Sequence, residues 1–257
     1  MLTVHPVAAF KDNYIWVIHD RNTAVVIDPG TALPVIEYLR SRQLRLAAIL
    51  ITHHHNDHTG GITGLLQYFD APVYGPCSKN IPTITHSVRN NDEISFHELP
   101  LQLTVIEVPG HTLDHIAYYG SQPFGMLFCG DTLFACGCGR IFEGTAGQMY
   151  QSLQKLYQLP DDTLIYCAHE YTLGNIKFAR VVDHQNEKLQ AFEITARMQR
   201  SQNTPTIPTT LGNEKSINPF LRCSNLEIIA SVQSYCNCKF QDPLSIFTAL
   251  RDWKNNF

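Results

Sequence analysis

The sequence predicts an α/β protein of two parts, a strand-rich layered region over 1–169 and a small helical region over 170–257. Three observations carry this. Short runs of β-branched and aromatic residues, each closed by turn-forming residues, recur as far as Cys167. From Asn175 onward no strand pattern is evident, and helical periodicity takes over. Metal-binding residue types sit behind several of the apolar runs, which is where layered α/β folds collect their sites.

Tyr14–Ile18 and Ala24–Ile27 are two such runs separated by Asp20-Arg21-Asn22-Thr23, the pattern of a β-hairpin. The second ends in Asp28-Pro29-Gly30, in which Asp28 reads as a turn residue. Ala32–Arg42 then spaces Leu33, Ile36 and Leu39 as a helix does, and Leu46–Ile51 reads as a strand buried on both faces. Behind it comes Thr52-His53-His54-His55-Asn56-Asp57-His58-Thr59-Gly60-Gly61. The paired glycines open a helix carrying Ile62, Leu65, Leu66 and Phe69.

Further strands are expected at Pro72–Tyr74, Leu101–Ile106 with Pro109-Gly110-His111 behind it, His115–Tyr119, and Met126–Cys129 leading to Gly130-Asp131. A helix over Ala146–Leu159 and a strand over Thr163–Cys167 follow, with Ala168-His169-Glu170-Tyr171 after them. Beyond Asn175, Phe178–Arg200, Leu226–Tyr235 and Pro243–Lys254 read as helices, and Pro205 and Pro208 mark a loop.

At 257 residues the chain has room for one large domain or a medium one plus a small one. A charged fraction of 16% and a net charge of −4 supply no basic field of the kind that selects nucleic acid. No run approaches the ~18 apolar residues of a membrane span, and Met1–Pro6 has no secretory-signal pattern, so a cytoplasmic protein without a membrane partner is expected. In that setting the eight cysteines are expected as reduced thiols rather than a disulfide framework. Cys136-Gly-Cys138 and Cys236-Asn-Cys238 fall one residue short of the usual metal or redox spacing.

The histidine stretch concentrates imidazole and carboxylate donors suited to a borderline metal such as zinc. His53 and His55 are two apart, so extended backbone turns both to one side, and the same alternation turns His54 away. Asp57 and His58 follow where the chain must turn, and they can face a second point. His111, Asp131 and His169 occupy equivalent places after other strands. Seven donors exceed one tetrahedral ion and fit two ions that share a carboxylate and an activated water. Isolated histidines such as His5, His19, His86, His97 and His184 read as structural or surface residues, and His115 as a structural or supporting one.

Thr52-His53-x-His55-x-Asp57-His58, with His111, Asp131 and His169 in order, resembles the metallo-β-lactamase superfamily. Within it the chain is similar nearly end to end to the glyoxalase II (hydroxyacylglutathione hydrolase) family. The supporting stretches are Asp12–Trp16, Gly130–Phe134, Gly137–Arg140, Phe142–Thr145, His169–Thr172, Asn218–Arg222, and Arg251 with Lys254. The resemblance implies an αββα metallo-β-lactamase-like sandwich followed by a small C-terminal all-α domain that binds substrate. It implies one metal on His53, His55 and His111, another on Asp57, His58 and His169, and Asp131 as the bridge. The resemblance thus implies Asp57 and Asp131 as the catalytic carboxylates.

The implied ions are two divalent metals per chain, zinc foremost, with iron and manganese also compatible with such ligands. The implied substrate contacts are Arg140, Phe142, Tyr171, Arg251 and Lys254. The implied reaction is hydrolysis of S-D-lactoylglutathione and related 2-hydroxyacylglutathiones to glutathione and D-lactate by a hydroxide shared between the metals, the second step of methylglyoxal detoxification, in a monomer. Three positions depart from the family pattern. Arg140 and Phe142 stand where Lys and Tyr are common, so one hydroxyl contact is absent, and Asp114 replaces a usual Gly and is expected in solvent.

Three other readings share parts of the motif. A single-iron persulfide dioxygenase would leave Asp57 and His58 little to do, a lactonase or lactamase would not need Arg251 and Lys254, and a silent binding module would not need a full ligand set.

Overall fold

The computed structural model describes residues 2–257. The chain divides into two compact units, one of Met1–Glu107 with Asp114–Gly130, the other of Val108–Leu113 with Asp131–Phe257.

The first unit holds two sheets. β1 (Thr3–Ala9), β2 (Asn13–His19) and β3 (Thr23–Ile27) form an antiparallel meander, and the expected hairpin pairs Trp16 with Ile27 and His19 with Ala24. α1 (Leu33–Ser41) carries Val35, Ile36 and Leu39 to the core. It crosses to β4 (Arg45–Leu50), which pairs parallel with β3. α2 (Asn56–Thr59) and α3 (Ile62–Leu66) lead on to β5 (Val73–Pro76) and β6 (His86–Val88), both added in parallel. β7 (Glu93–Phe96), β8 (Leu99–Glu107), β9 (Ile116–Gly120) and β10 (Met126–Gly130) form a second antiparallel meander.

Alternation is strict along β8, where Leu99, Leu101, Leu103 and Val105 are buried between more exposed neighbours. The first sheet packs Val17, Val26, Ile49 and Val73 against Val35, Leu39, Ile62 and Leu65 of the helices, a dry core on one face.

Two details of this unit differ from the sequence expectation. Phe69 lies beyond the end of α3, which is a short helix. β1, β6 and β7 were not evident, since β1 contains Pro6 and the other two are only three and four residues long, too short to show periodicity.

The second unit is mainly helical. β11 (Leu133–Phe134) and β12 (Gly137–Cys138) form a tight hairpin, followed by α4 (Ala146–Tyr157), started by a capping box between Thr145 and Gln148. β13 (Leu164–Cys167) leads to α5 (Thr172–Val182) and α6 (Glu187–Ser201). β14 (Thr209–Thr210), α7 (Leu211–Ile217), α8 (Leu226–Cys236) and α9 (Pro243–Asn255) complete the chain.

The single helix expected over Phe178–Arg200 is therefore two. Asp183 leaves helical geometry at φ −132°, ψ 59°, and the Asn186 side chain accepts from Leu189 N to start α6. A strand also exists beyond Asn175, because Thr209 and Thr210 pair with Ile165 and Leu164. Two residues carry no periodicity, so only the pairing defines them. Ile176, Ala179, Leu189, Ala196 and Ile217 form the helical core with Cys136 from the hairpin. Among the described residues no helix is long and apolar enough to cross a membrane.

Candidate active site

In the first unit the parallel pairing of β3 and β4 brings their C-terminal ends to the same edge of the sheet. Asp28, just past β3, donates its N–H to Leu50 O at the end of β4 (2.9 Å). It is no ordinary turn residue. It is 4% exposed, adopts φ +52°, and accepts from Thr52 N (2.7 Å), Thr52 Oγ1 (2.7 Å) and His58 Nδ1 (3.0 Å). The sequence signal was its place at a strand end beside the histidine motif, masked by the Pro-Gly that follows.

These hydrogen bonds fix the imidazole tautomers. Thr52 Oγ1 spends its proton on Asp28, so it accepts from His53 Nδ1 (3.0 Å), and the His53 lone pair is left on Nε2. That Nε2 lies 3.1 Å from His55 Nδ1, as the two-residue spacing requires. His58 donates Nδ1–H to Asp28 and turns Nε2 toward Asp57 Oδ2, 3.6 Å away. Asn13 Nδ2 donates to the same Asp57 oxygen (3.0 Å). The one-turn helix α2 starts directly after His55, and this change of direction separates the His53–His55 pair from the Asp57–His58 pair.

His115 stacks on His53, ring centroids 4.5 Å apart, which is the supporting position expected of it. His54 faces elsewhere, toward Asp114, with Nδ1 to carboxylate distances of 2.9 and 3.0 Å. Asp114 is therefore not in solvent, since its side chain is 14% exposed and held by His54. Gly130 precedes Asp131 at φ +47°, and a Cβ there would lie 2.5 Å from Thr52 Oγ1 and 2.9 Å from the His115 ring.

In the second unit Asp131 stands between two imidazoles. Its Oδ2 is 3.4 Å from His111 Nε2 and its Oδ1 is 3.3 Å from His169 Nε2. His111 Nδ1 donates to Arg140 O (2.8 Å), which again leaves the Nε2 lone pair facing the carboxylate. One oxygen of the carboxylate thus faces each imidazole. Each unit thus presents imidazole nitrogens beside carboxylate oxygens, a donor set that suits divalent cations.

A cavity of about 640 Å³ in this unit is lined by His111 and Asp131 together with Arg140, Phe142, Tyr171, Arg251 and Lys254. All five expected substrate contacts therefore share one cavity wall. Phe142 meets His111 edge-on at 5.1 Å, and Tyr171 stacks flat on His169 at 4.6 Å. Arg251 and Lys254 do not form the solvated helix face that their spacing alone would suggest. Arg251 is 4% exposed, donates Nη1–H to Cys138 O (2.9 Å) and lies over Phe220, while its buried Nε has no hydrogen-bond acceptor among the described residues. Lys254 lies over Phe178 and Phe257 and donates to Gly174 O (3.2 Å). Burial first, and then the Arg251 charge, lower its ammonium to about 8, a poise that favours an incoming anion.

The cavity wall rests on a buried network that the sequence did not reveal. Asn218 Nδ2 donates to Phe134 O (3.1 Å) and Gly137 O (3.0 Å), Asn175 Nδ2 to Ala135 O (3.1 Å), and Glu214 Oε2 accepts from Cys136 N (2.7 Å). These bonds hold the β11–β12 hairpin between Asp131 and Arg140. Asn218 stood out only as part of a resembling stretch, and Glu214 carried no signal.

Comparison with known proteins agrees with this arrangement. The metallo-beta-lactamase superfamily model matches residues 10–169, and the model for the hydroxyacylglutathione hydrolase C-terminus matches 170–257. A solved structure, ETHE1 from Myxococcus xanthus, superposes with a TM-score of 0.64 at 26% identity, covering 99% of this chain and 98% of that one. Fold and donor set thus define a hydrolase of the metallo-β-lactamase class, an αββα sandwich with a C-terminal helical region.

The hydroxyacylglutathione hydrolase of Nitrosomonas europaea is 55% identical over 257 residues, covering 100% of this chain and 97% of that protein. That of Vibrio cholerae is 49% identical over 259 residues and covers both chains fully. The chain belongs to the hydroxyacylglutathione hydrolase (glyoxalase II) family.

Proposed function

We propose that the protein hydrolyses the thioester of S-D-lactoylglutathione and related 2-hydroxyacylglutathiones, releasing glutathione and D-lactate, the second step of methylglyoxal detoxification. The observation that carries this is the single cavity in which two arginines and a lysine, suited to glutathione carboxylates, share a wall with His111 and Asp131. In this reading His53, His55 and His111 hold one divalent ion, Asp57, His58 and His169 hold a second, and Asp131 bridges. Zinc suits the nitrogen-rich set, and iron or manganese fits it as well.

Bound there, two divalent ions would lower the pKa of a water toward ~7 and polarise the thioester carbonyl. The chain's own residues do the rest. Asp28, Thr52 and the Arg140 carbonyl hold His58, His53 and His111 by their Nδ1 atoms and so aim the Nε2 atoms. Arg140, Arg251 and Lys254 anchor the anionic ends of glutathione, Phe142 and Tyr171 flank it, and together they fix the carbonyl in position. The leaving thiolate needs no proton donor. The region 1–169 then carries the chemistry together with Arg140 and Phe142, and 170–257 adds Tyr171, Arg251 and Lys254 as substrate contacts, in a monomeric cytoplasmic enzyme.

The test is metal content per chain together with the steady-state rate on S-D-lactoylglutathione and on a thioester without glutathione. Two ions per chain and a strong preference for the glutathione thioester are expected. Asp57→Ala should cost at least ~10²-fold in rate, a ligand counting for no less than the groups that orient it. An unchanged rate at saturating metal would overturn the ligand assignment. Oxygen uptake with glutathione persulfide would instead favour the single-iron reading.

A further inference from the structure

α8 ends at Cys236, and Asn237 follows in left-handed geometry at φ 50°, ψ 40°. The cap folds the chain back onto its last turn, since the N–H groups of Asn237 and Cys238 both bond to Gln233 O, the latter at 3.3 Å. Residue 238 is thereby kept beside the helix end, close enough to Cys236 for the two thiols to influence each other electrostatically. Both are free, Cys238 exposed and Cys236 half-buried, whereas five of the other six cysteines are fully buried. Residues two apart have Cα atoms less than ~7 Å apart, and a turned-back chain brings them inside the disulfide range.

We propose that Cys236 and Cys238 form a redox-active dithiol that glutathione disulfide closes to an internal disulfide. Cys238, the exposed thiol, attacks one sulfur of glutathione disulfide as its thiolate. The bond between the two glutathione sulfurs breaks, a mixed disulfide forms on Cys238, and the departing glutathione thiolate takes up the proton that Cys238 released. Cys236 loses its proton to water and attacks Cys238 Sγ. The mixed disulfide breaks, and the second glutathione leaves as thiolate and is protonated in turn. The protein loses two hydrogens and two electrons, and glutathione disulfide is reduced to two glutathiones.

The order follows from the surroundings, because burial and the neighbouring Cys238 raise the Cys236 thiol and leave it the resolving partner. A ring closed over one intervening residue is strained and exposed, so the bond reverses readily and follows the glutathione redox ratio. The structure also supplies a reporter. Tyr235, beside Cys236, stacks on Trp253 with centroids 4.1 Å apart and planes at 8°. Trp253 lies between Arg251 and Lys254 on α9, so closure of the ring reaches the substrate wall. That last consequence rests on the proposed glutathione-binding reading, whereas the thiol chemistry does not.

The experiment equilibrates the full-length, metal-loaded chain in mixtures of reduced and oxidised glutathione, alkylates it and maps the peptides by mass. Expected is a Cys236–Cys238 peptide, unalkylated and two hydrogens lighter, that grows with the oxidised fraction, reverses with dithiothreitol and tracks a change in tryptophan emission. Cys236→Ser should stop at glutathione attached to Cys238, with emission unchanged. Alkylation of both thiols in the wild type at every ratio, or glutathione persisting on its Cys238, overturns the proposal. Hydrolysis of S-D-lactoylglutathione is measured on the same samples: an inactive chain that still closes the disulfide would sink the functional reading alone, and an active chain that never closes it would sink only this one.

Discussion

Asp28 shows how one side chain at the end of a strand governs several groups of the site. Its carboxylate is buried, and its two oxygens receive three hydrogen bonds, from the Thr52 backbone, the Thr52 hydroxyl and His58. Charge-assisted bonds of this kind orient a ligand and raise its basicity. Asp28→Asn preserves the shape but offers one acceptor oxygen in place of two, so either Thr52 or His58 loses its partner and the tautomer chain to His53 loosens. Metal affinity is expected to fall about 10- to 100-fold. Competition with a chromogenic chelator measures this directly, and an unaltered dissociation constant would show that Asp28 serves only the turn.

The decisive element is the β11–β12 hairpin. It is two residue pairs long, far too short to be stable by itself, and it persists because Asn218, Asn175 and Glu214 bind its backbone from the surrounding helices. Gly139 leaves the hairpin directly against Asp131, and a Cβ there would fall 1.9 Å from Asp131 O. No side chain can yield to relieve that contact, so Gly139→Ala must displace backbone next to the carboxylate that faces His111 and His169. A shift on the order of 1 Å can cost ~10²-fold in turnover. The expected outcome is that loss in kcat with the far-ultraviolet circular dichroism spectrum retained. A variant of normal kcat would show that the hairpin moves without carrying Asp131 with it.

For the molecule as a whole, Glu214 links stability to pH. It is fully buried, and burial raises its carboxyl from an ordinary 4.5 to about 7, against the lowering effect of bonds from Cys136 N, Asn218 and Thr209. A carboxyl raised in the folded state favours folding below pH ~4.5, and that contribution is lost as pH rises through about 7. The loss is on the order of 3 kcal/mol at most, from ~1.4 kcal/mol per pKa unit. Glu214→Gln keeps the acceptor for Cys136 N and Asn218 while its amide donates to Thr209 Oγ1. The variant is expected to lose stability less steeply than wild type between pH 5 and 8, read from urea midpoints at both values with metal held constant. Parallel pH dependences in the two proteins would place the titration elsewhere.

How much of this was legible in the sequence depended on how local each signal was. His53, His55, Asp57 and His58 lie within six residues, so strand alternation and one turn suffice to group them, and their motif resembled its superfamily before any fold was known. Long apolar runs such as Leu46–Ile51 declared their strands, whereas Thr209–Thr210 is a strand only because β13 lies beside it. The break between α5 and α6 was written in Asp183 and Asn186 but was obscured by helical periodicity on both sides.

By itself, then, the sequence determined the fold class and, through the stretches that carry its resemblance, the family, because chain-local periodicity and motifs record them. Tertiary structure alone decided that Asp28 is a buried hydrogen-bond acceptor, that Asp114 belongs to His54, and that Arg251 and Lys254 face a cavity rather than water. Those outcomes depend on partners 24 to 113 residues away, and no local pattern records which distant groups will meet once the core excludes water.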